Sequence, residues 1–177
     1  LLYLSELPVL TSELQPDPPL GRFDNNIARL TFSAAHWRSY QRAAEEMAEL
    51  ATSSDEILGA NSPPNMPTDV EEAGRAFIDH FAPRAFRRPL TSVEKDAYLK
   101  LFLEGASHHA DLGEVKAGVR MIVEALLQSP HFLYRVEDSA APDSQLVSLD
   151  GYEVASRLSY AFWNSMPSDE LFAAAEA

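Results

Sequence analysis

The sequence predicts an all-α protein, an irregular multi-helix bundle built from helical hairpins with no significant sheet. Four segments begin with a residue that can cap a helix and carry a glutamate three positions later: Thr68 with Glu71, Thr91 with Glu94, Asp111 with Glu114, and Asp150 with Glu153. This spacing is the capping-box signature of a helix start. Apolar residues at the helical period of 3.6 follow each start, whereas no stretch alternates strictly at the two-residue period of a strand.

The first helix precedes these four, and we expect it from about Ala34 to Ala51. Ser33 is its predicted N-cap, and Phe32 is placed to pack against Trp37 across the helix start. Residues 53–67 are polar and contain prolines, which remove backbone donors. We therefore interpret them as a connection and as the main internal boundary.

The remaining helices have apolar faces that predict which side is buried. Pro83 should end or kink the helix that begins near Thr68. Pro130 should end the helix that begins near Asp111. The predicted buried faces are Val70, Ala73, Phe77 and Phe81; Val93, Ala97, Tyr98, Leu101 and Phe102; Val115, Val119, Ile122, Val123, Leu126 and Leu127; and Ala155, Leu158, Phe162 and Trp163.

The chain of 177 residues is long enough for one core with small helical subdomains. We expect residues 1–60 to be the C-terminal part of a first helical domain with a proline-rich loop. Residues 68–137 should form a helical hairpin domain, and residues 148–177 the start of a further helical domain. Because the chain lacks an initiator methionine and stops within a helical pattern, we expect a piece of a longer protein.

Composition excludes several classes of function. The chain has 14 basic and 27 acidic residues and a net charge of −13, which argues against nucleic-acid binding and against adhesion to anionic membranes. It has no cysteine, which excludes a disulfide, a thiolate zinc site, a cysteine nucleophile and a thioether-attached haem within this chain. No apolar run approaches the roughly 18 residues of a membrane span.

Arginine and histidine beside aromatic residues form the candidate site: Arg87, Arg88, His131 and Arg135. Arginine can stack on aromatic rings and bind carboxylates through two parallel hydrogen bonds. One interpretation is therefore an anion-binding or partner-binding site. The simpler interpretation is internal: the guanidiniums bind acidic helix starts and unpaired carbonyls at the hairpin ends, because helix termini always need such partners.

Other polar clusters predict no catalytic, cofactor or metal site. The pair His108-His109 lies in a loop without a third ligand at helical spacing, and His36 and His80 lack a zinc-type partner. Residues 24–26 supply oxygens, but a capped turn explains them better than calcium, because their spacing does not match an EF-hand loop. No nucleophile elbow, phosphate-binding loop or dinucleotide fingerprint is present.

Three blocks carry a resemblance to a known family: residues 81–91 (FAPRAFRRPLT), 126–137 (LLQSPHFLYRVE) and 155–167 (ASRLSYAFWNSMP). In this order and spacing they resemble the planctomycete-type (PSD) domain set of large, exported, cytochrome c-associated proteins. Residues 21–26 (GRFDNN) resemble the end of an earlier domain of the same set. The resemblance covers nearly the whole chain.

The resemblance implies a periplasmic or otherwise exported protein with haem c elsewhere in the full-length polypeptide. It transfers no catalytic residue to this chain. The leading hypothesis is a helical scaffold or interaction module that associates with other domains of the same polypeptide or with a redox protein complex. The alternative is part of an exported enzyme whose site is shared with domains missing from this chain. A third hypothesis, a subunit recruited to a membrane electron-transfer complex, is not separated from the first.

Overall fold

The computed structural model describes residues 1–4, 33–135, 137 and 148–176. Within these ranges the chain forms helices and no strand, which confirms the predicted all-α fold. The helices are α1 (Ala34–Ala51), α2 (Asp55–Asn61), α3 (Val70–Phe86), α4 (Ser92–His108), α5 (Glu114–Gln128), α6 (Pro130–Leu133), α7 (Gly151–Trp163) and α8 (Asp169–Glu176).

Helix α5 is the centre of the core, because it packs against α1, α3, α4 and α6. Its apolar face is the predicted one, and the side chains of Val119, Ile122, Val123 and Leu126 are fully buried. Each such side chain stabilises the fold by about 1.5–3 kcal/mol through the apolar surface that it removes from water. Among the described residues, α7 and α8 contribute nothing to the main core cluster and instead pack against each other.

A glycine brings α4 unusually close to α5. A Cβ atom added at Gly105 would lie 2.7 Å from the backbone carbonyl of Ala117 and from the Cα of Gly118. No side chain fits such a gap, so the glycine sets the short distance between the two helices.

The predicted helix starts are correct in three cases and shifted in two. Ser33 caps α1, and complete capping boxes begin α4 and α7. Helix α3, however, is capped by Asp69, whose carboxylate accepts a hydrogen bond from the Glu72 amide at 3.0 Å. The pairs Thr68/Glu71 and Asp69/Glu72 have the same spacing, and the chain uses the second.

The start of α5 differs more, because the predicted cap at Asp111 is not used. The N-cap is Gly113, which has no side chain to accept a hydrogen bond. Residues 110–113 form a turn after α4, so Asp111 lies too early in the chain to reach the first amides of α5. The helix depends instead on its buried apolar face.

Two expectations about helix interruption are corrected. Pro83 does not end α3: the helix continues to Phe86, because packing of its buried face offsets one missing backbone hydrogen bond. The connection 53–67 contains the short helix α2, capped by Ser54. The side chain of Asn61, at the end of α2, exchanges hydrogen bonds with the backbone of Tyr3 at 2.8 and 2.9 Å. This contact fixes residues 1–4 against the helix.

Several residues of the predicted buried faces are exposed. Val93 is 77% exposed, and Phe162 and Trp163 are 74% and 69% exposed. Trp37 is also exposed, and the predicted contact of Trp37 with Phe32 lies outside the described residues. Helical periodicity identifies the apolar side of a helix correctly, but it does not show whether another element covers that side.

Candidate functional site

Arg87 turns the chain at the end of α3. Its backbone is left-handed, with φ of 58°, a conformation usually taken by glycine at a helix C-terminus. The guanidinium donates hydrogen bonds to the carbonyls of His131 and Tyr134 at 2.6 Å each and to that of Phe132 at 3.3 Å. These carbonyls belong to the short helix α6 and its cap, which cannot satisfy them within the helix.

Burial and neighbouring groups change the pKa of the Arg87 guanidinium. Removal from water lowers the pKa of Arg87; the nearby Tyr160 hydroxyl opposes the shift and the positive charge of Arg135 adds to it. The three carbonyl oxygens supply only partial negative charge, and no described carboxylate forms an ion pair with Arg87.

Arg88 binds the acidic start of the next helix. Its two terminal nitrogens lie 2.7 and 3.0 Å from the two carboxylate oxygens of Glu94. The same carboxylate accepts the Thr91 amide at 2.8 Å and so completes the capping box of α4. Arg88 also lies over the Phe86 ring at 5.6 Å. It therefore has the internal role that the sequence offered as one of two readings.

The Arg88–Glu94 pair predicts a pH dependence of stability. Hydrogen bonds from Arg88 and Thr91 outweigh burial and lower the pKa of Glu94 from 4.5 to about 2. Because the pKa of Glu94 is lower in the folded state, its ionised carboxylate stabilises the protein at pH values above 4.5. This contribution is lost as the pH falls from 4.5 to about 2. Because the pair is partly hydrated, we expect Glu94→Gln to cost about 1 kcal/mol at pH 7 and almost nothing near pH 2.

Urea unfolding at a series of pH values measures this difference. Glutamine keeps the capping geometry, so the substitution isolates the charge. Glu71→Gln is the matched control, because Glu71 pairs with Arg75 at 2.9 Å on an exposed face, where such pairs are worth little. A Glu94→Gln cost that stayed constant down to pH 2.5 would contradict the assignment.

His131 lies at the same hairpin end. Its ring centroid is 5.1 Å from that of Phe86, and its own amide donates to the Ser129 hydroxyl at 3.3 Å. Its carbonyl is one of the acceptors of Arg87. The backbone of His131 is thus fixed, whereas the imidazole nitrogens have no hydrogen-bond partner among the described residues.

Arg135 stacks on α7 and forms no ion pair within the part of the chain that the structure describes. Its guanidinium lies 5.0 Å from the centre of the Tyr160 ring. The neighbouring Arg157, also on α7, binds Glu137 through two hydrogen bonds of 2.6 and 2.8 Å. These bonds lower the pKa of Glu137. Two arginines therefore connect α7 to residues 135 and 137, which follow α6.

All four predicted residues line one cavity of about 410 Å³. The cavity lies between the α3–α4 turn, α6 and the first two turns of α7. Its remaining lining residues are Phe86, Glu137, Asp150, Tyr152, Glu153, Ser156 and Arg157. The other α7 residues of the lining, Asp150, Tyr152, Glu153 and Ser156, were not predicted as part of a site, because their contacts depend on how α7 is placed against the bundle.

Two of the other histidines, His36 and His109, have structural environments. His36 completes the capping box of α1, with its Nδ1 accepting the Ser33 amide at 3.3 Å. His109 caps the C-terminus of α4 and is half-buried rather than exposed; its Nε2 lies 3.3 Å from a Glu124 oxygen, without the alignment of a hydrogen bond. Burial raises the pKa of Glu124, and His109 opposes the shift.

Metal and membrane features are not found in the described ranges. Those residues contain no group of three histidines or carboxylates arranged to hold a metal ion. The calcium candidate at residues 24–26 lies outside them. No described helix combines the length and hydropathy needed to cross a bilayer.

The fold is that of a helical protein within the described residues, and three family models match along the chain. PSD3, described as a protein of unknown function (DUF1587), matches residues 2–53. PSD5 (DUF1595) matches residues 73–137, and PSD4 (DUF1592) matches residues 149–177. The chain belongs to the planctomycete-type domain families, which confirms the resemblance seen in its motifs. No curated protein and no solved structure matches it.

Proposed function

We propose that this chain is a helical interaction module of an exported protein that works with a c-type cytochrome. One observation carries the docking role: α7 has an exposed apolar face, formed by Val154, Leu158 and Phe162 at successive intervals of four residues, with Trp163 beside Phe162. Residues four apart lie on one side of a helix. Large exposed aromatic side chains of this kind are typical of protein-binding surfaces.

The partner that we propose is the cytochrome module, either within the same polypeptide or as a separate redox protein. Export and the cytochrome follow from the family resemblance. The chain has no cysteine for a thioether bond, so the haem would be held outside it. The net charge of −13 favours a basic partner, because complementary charge accelerates encounter even when apolar contacts supply the affinity.

Isolation from the native source tests the association. Antibodies against this chain would be used to purify it from the periplasmic or secreted fraction, followed by denaturation, haem staining and intact mass measurement. Covalent haem survives denaturation, so we expect either a haem-bearing polypeptide well above 19.6 kDa or a haem-bearing protein that co-purifies in fixed ratio. A chain of 19.6 kDa that carries no haem and co-purifies with no haem-bearing protein would contradict the proposal.

Substitution of the α7 apolar face tests its role in docking. Where the haem-bearing protein is a separate polypeptide, we expect Leu158→Ser combined with Phe162→Ser to reduce the amount of it that co-purifies per chain at least about tenfold, which corresponds to about 1.4 kcal/mol of binding free energy. Thermal stability should change little, because both side chains are already exposed. Val93→Ser is the matched control, since Val93 is an equally exposed apolar residue on α4. Equal loss in the control would mean that the α7 apolar face is not the docking surface.

A second candidate function has one observation in its favour. The cavity that joins Arg87, Arg88, His131 and Arg135 has the position and size of a ligand site. We propose, as the alternative, that the chain is part of an exported enzyme whose site is completed by other domains. Two of the four residues are already bound internally, which favours the interaction module; His131 and Arg135 are the residues left for a ligand.

A further inference from the structure

Helix α5 meets α1 and α2 along a stripe of charged residues that the docking role does not use. Lys116, Arg120 and Glu124 follow one another at intervals of four residues and therefore lie on one side of the helix. The Arg120 Nε donates a hydrogen bond of 2.9 Å to the hydroxyl of Thr52, which is buried at the end of α1. The Lys116 ammonium lies 3.8 Å from the carboxylate of Asp55 at the start of α2. Two of the three charged residues thus have a favourable contact with the α1–α2 segment.

Glu124, the third residue of the stripe, has an unfavourable neighbour on α1. The charged α1 group that acts on its carboxylate is Glu45, which has the same sign. One Glu124 oxygen lies 3.3 Å from the Nε2 of His109 at the end of α4, and these two side chains are only 17% and 18% exposed. That Nε2 is buried and has no aligned hydrogen-bond partner among the described residues. Helices α3 and α6 also pack against α5, but none of their described charged groups acts on this carboxylate.

The electrostatic balance at this contact depends on one proton. When His109 is neutral and Glu124 is ionised, the pair carries a negative charge close to that of Glu45, and the repulsion opposes the packing of α1. When the pair takes up one proton, on either the imidazole or the carboxyl, it has no net charge and the repulsion ends. We propose that His109 and Glu124 form a proton-sensitive latch, which tightens the packing of α1 against α5 when the pair takes up a proton.

The pKa of Glu124 changes in the direction that the latch requires. Burial raises the pKa of this carboxyl; His109 and Arg120 oppose the shift, and Glu45 adds to it. Because the folded protein holds the proton more tightly than the unfolded chain, the carboxyl contributes its full stability only below its ordinary pKa of 4.5. The contribution is lost as the pH rises through the pKa of the folded state. This sign is opposite to that of Glu94, whose pKa is lowered.

The latch joins two parts of the chain that different family models match. Helix α1 lies within the PSD3 match, whereas α4, His109 and α5 lie within the PSD5 match. Proton uptake by the latch would therefore change how firmly the two matched segments hold together. The proposal requires neither export nor a cytochrome, so it can fail independently of the proposed function.

Urea unfolding of the whole chain at pH 7.5 and at pH 5 tests the latch. Glu124→Gln keeps the size of the protonated side chain and removes its charge. At pH 7.5 we expect its equilibrium constant for unfolding to be at least about threefold smaller than that of the unaltered protein, and at pH 5 this advantage should vanish or reverse. Glu46→Gln is the matched control, because Glu46 is the exposed neighbour of Glu45 on α1, and it should change little at either pH. An advantage of Glu124→Gln that is equal at both pH values, or a loss of stability at pH 7.5, would overturn the proposal.

NMR of the Glu124 carboxyl carbon tests which groups act on its proton. Glu45→Gln removes a like charge and should move the titration of this carbon to lower pH, whereas His109→Gln removes an opposite charge and should move it to higher pH. Opposite shifts in the two variants would support the latch. Shifts in the same direction, or no shift in either variant, would overturn it.

Hydrogen exchange tests whether the proton acts on the packing of α1. Protection factors of backbone amides, corrected for the intrinsic effect of pH on exchange, would be compared between residues 44–51 of α1 and residues 77–85 of α3. We expect the protection of the α1 residues to rise relative to α3 between pH 7.5 and pH 5, and this rise to be absent in Glu124→Gln. An equal rise in both helices would mean that the pair stabilises the whole bundle, and it would overturn the latch.

Discussion

Phe102→Ala is expected to destabilise the protein by about 3–5 kcal/mol, a large part of the 5–15 kcal/mol that usually holds a domain folded. The Phe102 side chain is fully buried in α4 and packs against two glycines, Gly74 on α3 and Gly118 on α5. Truncation removes the apolar contacts and leaves a cavity where three helices meet. Urea unfolding measures the loss, with Leu103→Ala as the control, because Leu103 is the next residue on the same helix and is exposed.

The same site provides a stricter test through a double substitution. A Cβ added at Gly118 would lie 2.7 Å from the Phe102 ring, so Gly118→Ala alone should cost about 1–3 kcal/mol from overpacking. In the Phe102→Ala background the ring is gone, and Gly118→Ala should be neutral or stabilise by up to about 1 kcal/mol through helix propensity. If the two costs simply added, the contact between Phe102 and Gly118 would not be the cause.

Arg87→Ala is expected to destabilise the protein by about 2–4 kcal/mol. The substitution removes the charged donor of three carbonyls at the end of α6, and hydrogen bonds to charged groups contribute about 1.5–3 kcal/mol each when they are not replaced. Water can reach part of this region, and the buried guanidinium itself costs desolvation free energy, so the net effect is smaller than the sum. Alanine also keeps the cost of the left-handed backbone.

Two comparison variants separate these causes. Arg87→Gly removes the same hydrogen bonds but fits the backbone, so we expect it to be about 1 kcal/mol more stable than Arg87→Ala. Arg88→Ala is the neighbouring control and should cost about 1 kcal/mol, because it breaks one partly hydrated ion pair. Urea midpoints measure all three variants. If Arg87→Ala were no worse than Arg88→Ala, the carbonyl contacts of Arg87 would not stabilise the fold.

The sequence predicted the helices better than it predicted their exposure. Capping boxes at Thr91 and Asp150 are local patterns of four residues, and the structure confirms both. The exposure of Phe162 and Trp163 was not predicted, because burial depends on which element covers a face. The start of α5 at Gly113 was missed for the opposite reason: the helix has no side-chain cap, and its signal lies in packing alone.

In the candidate site, too, local features were predicted and contacts between distant residues were not. The sequence selected Arg87 and His131 because each lies beside aromatic residues at a hairpin end, and in the structure the Arg87 guanidinium donates a hydrogen bond to the His131 carbonyl. The pairing of Glu137 with Arg157 was not predicted, because the two residues are 20 positions apart and no local spacing joins them. The division of the four residues into internally bound and unoccupied groups also required coordinates.

The close approach of α4 and α5 at Gly105 limits how this molecule can change shape. Sliding of α4 by one turn would bring a larger side chain onto the α5 backbone, where only glycine fits. Shear between these two helices is therefore blocked, and they behave as a single rigid unit. No described glycine brings α7 or α8 equally close to the α4–α5 pair, and the contacts of α7 with residues 135 and 137 include guanidinium interactions near the cavity. We therefore expect any conformational response to a ligand or a partner to leave the spacing of α4 and α5 unchanged.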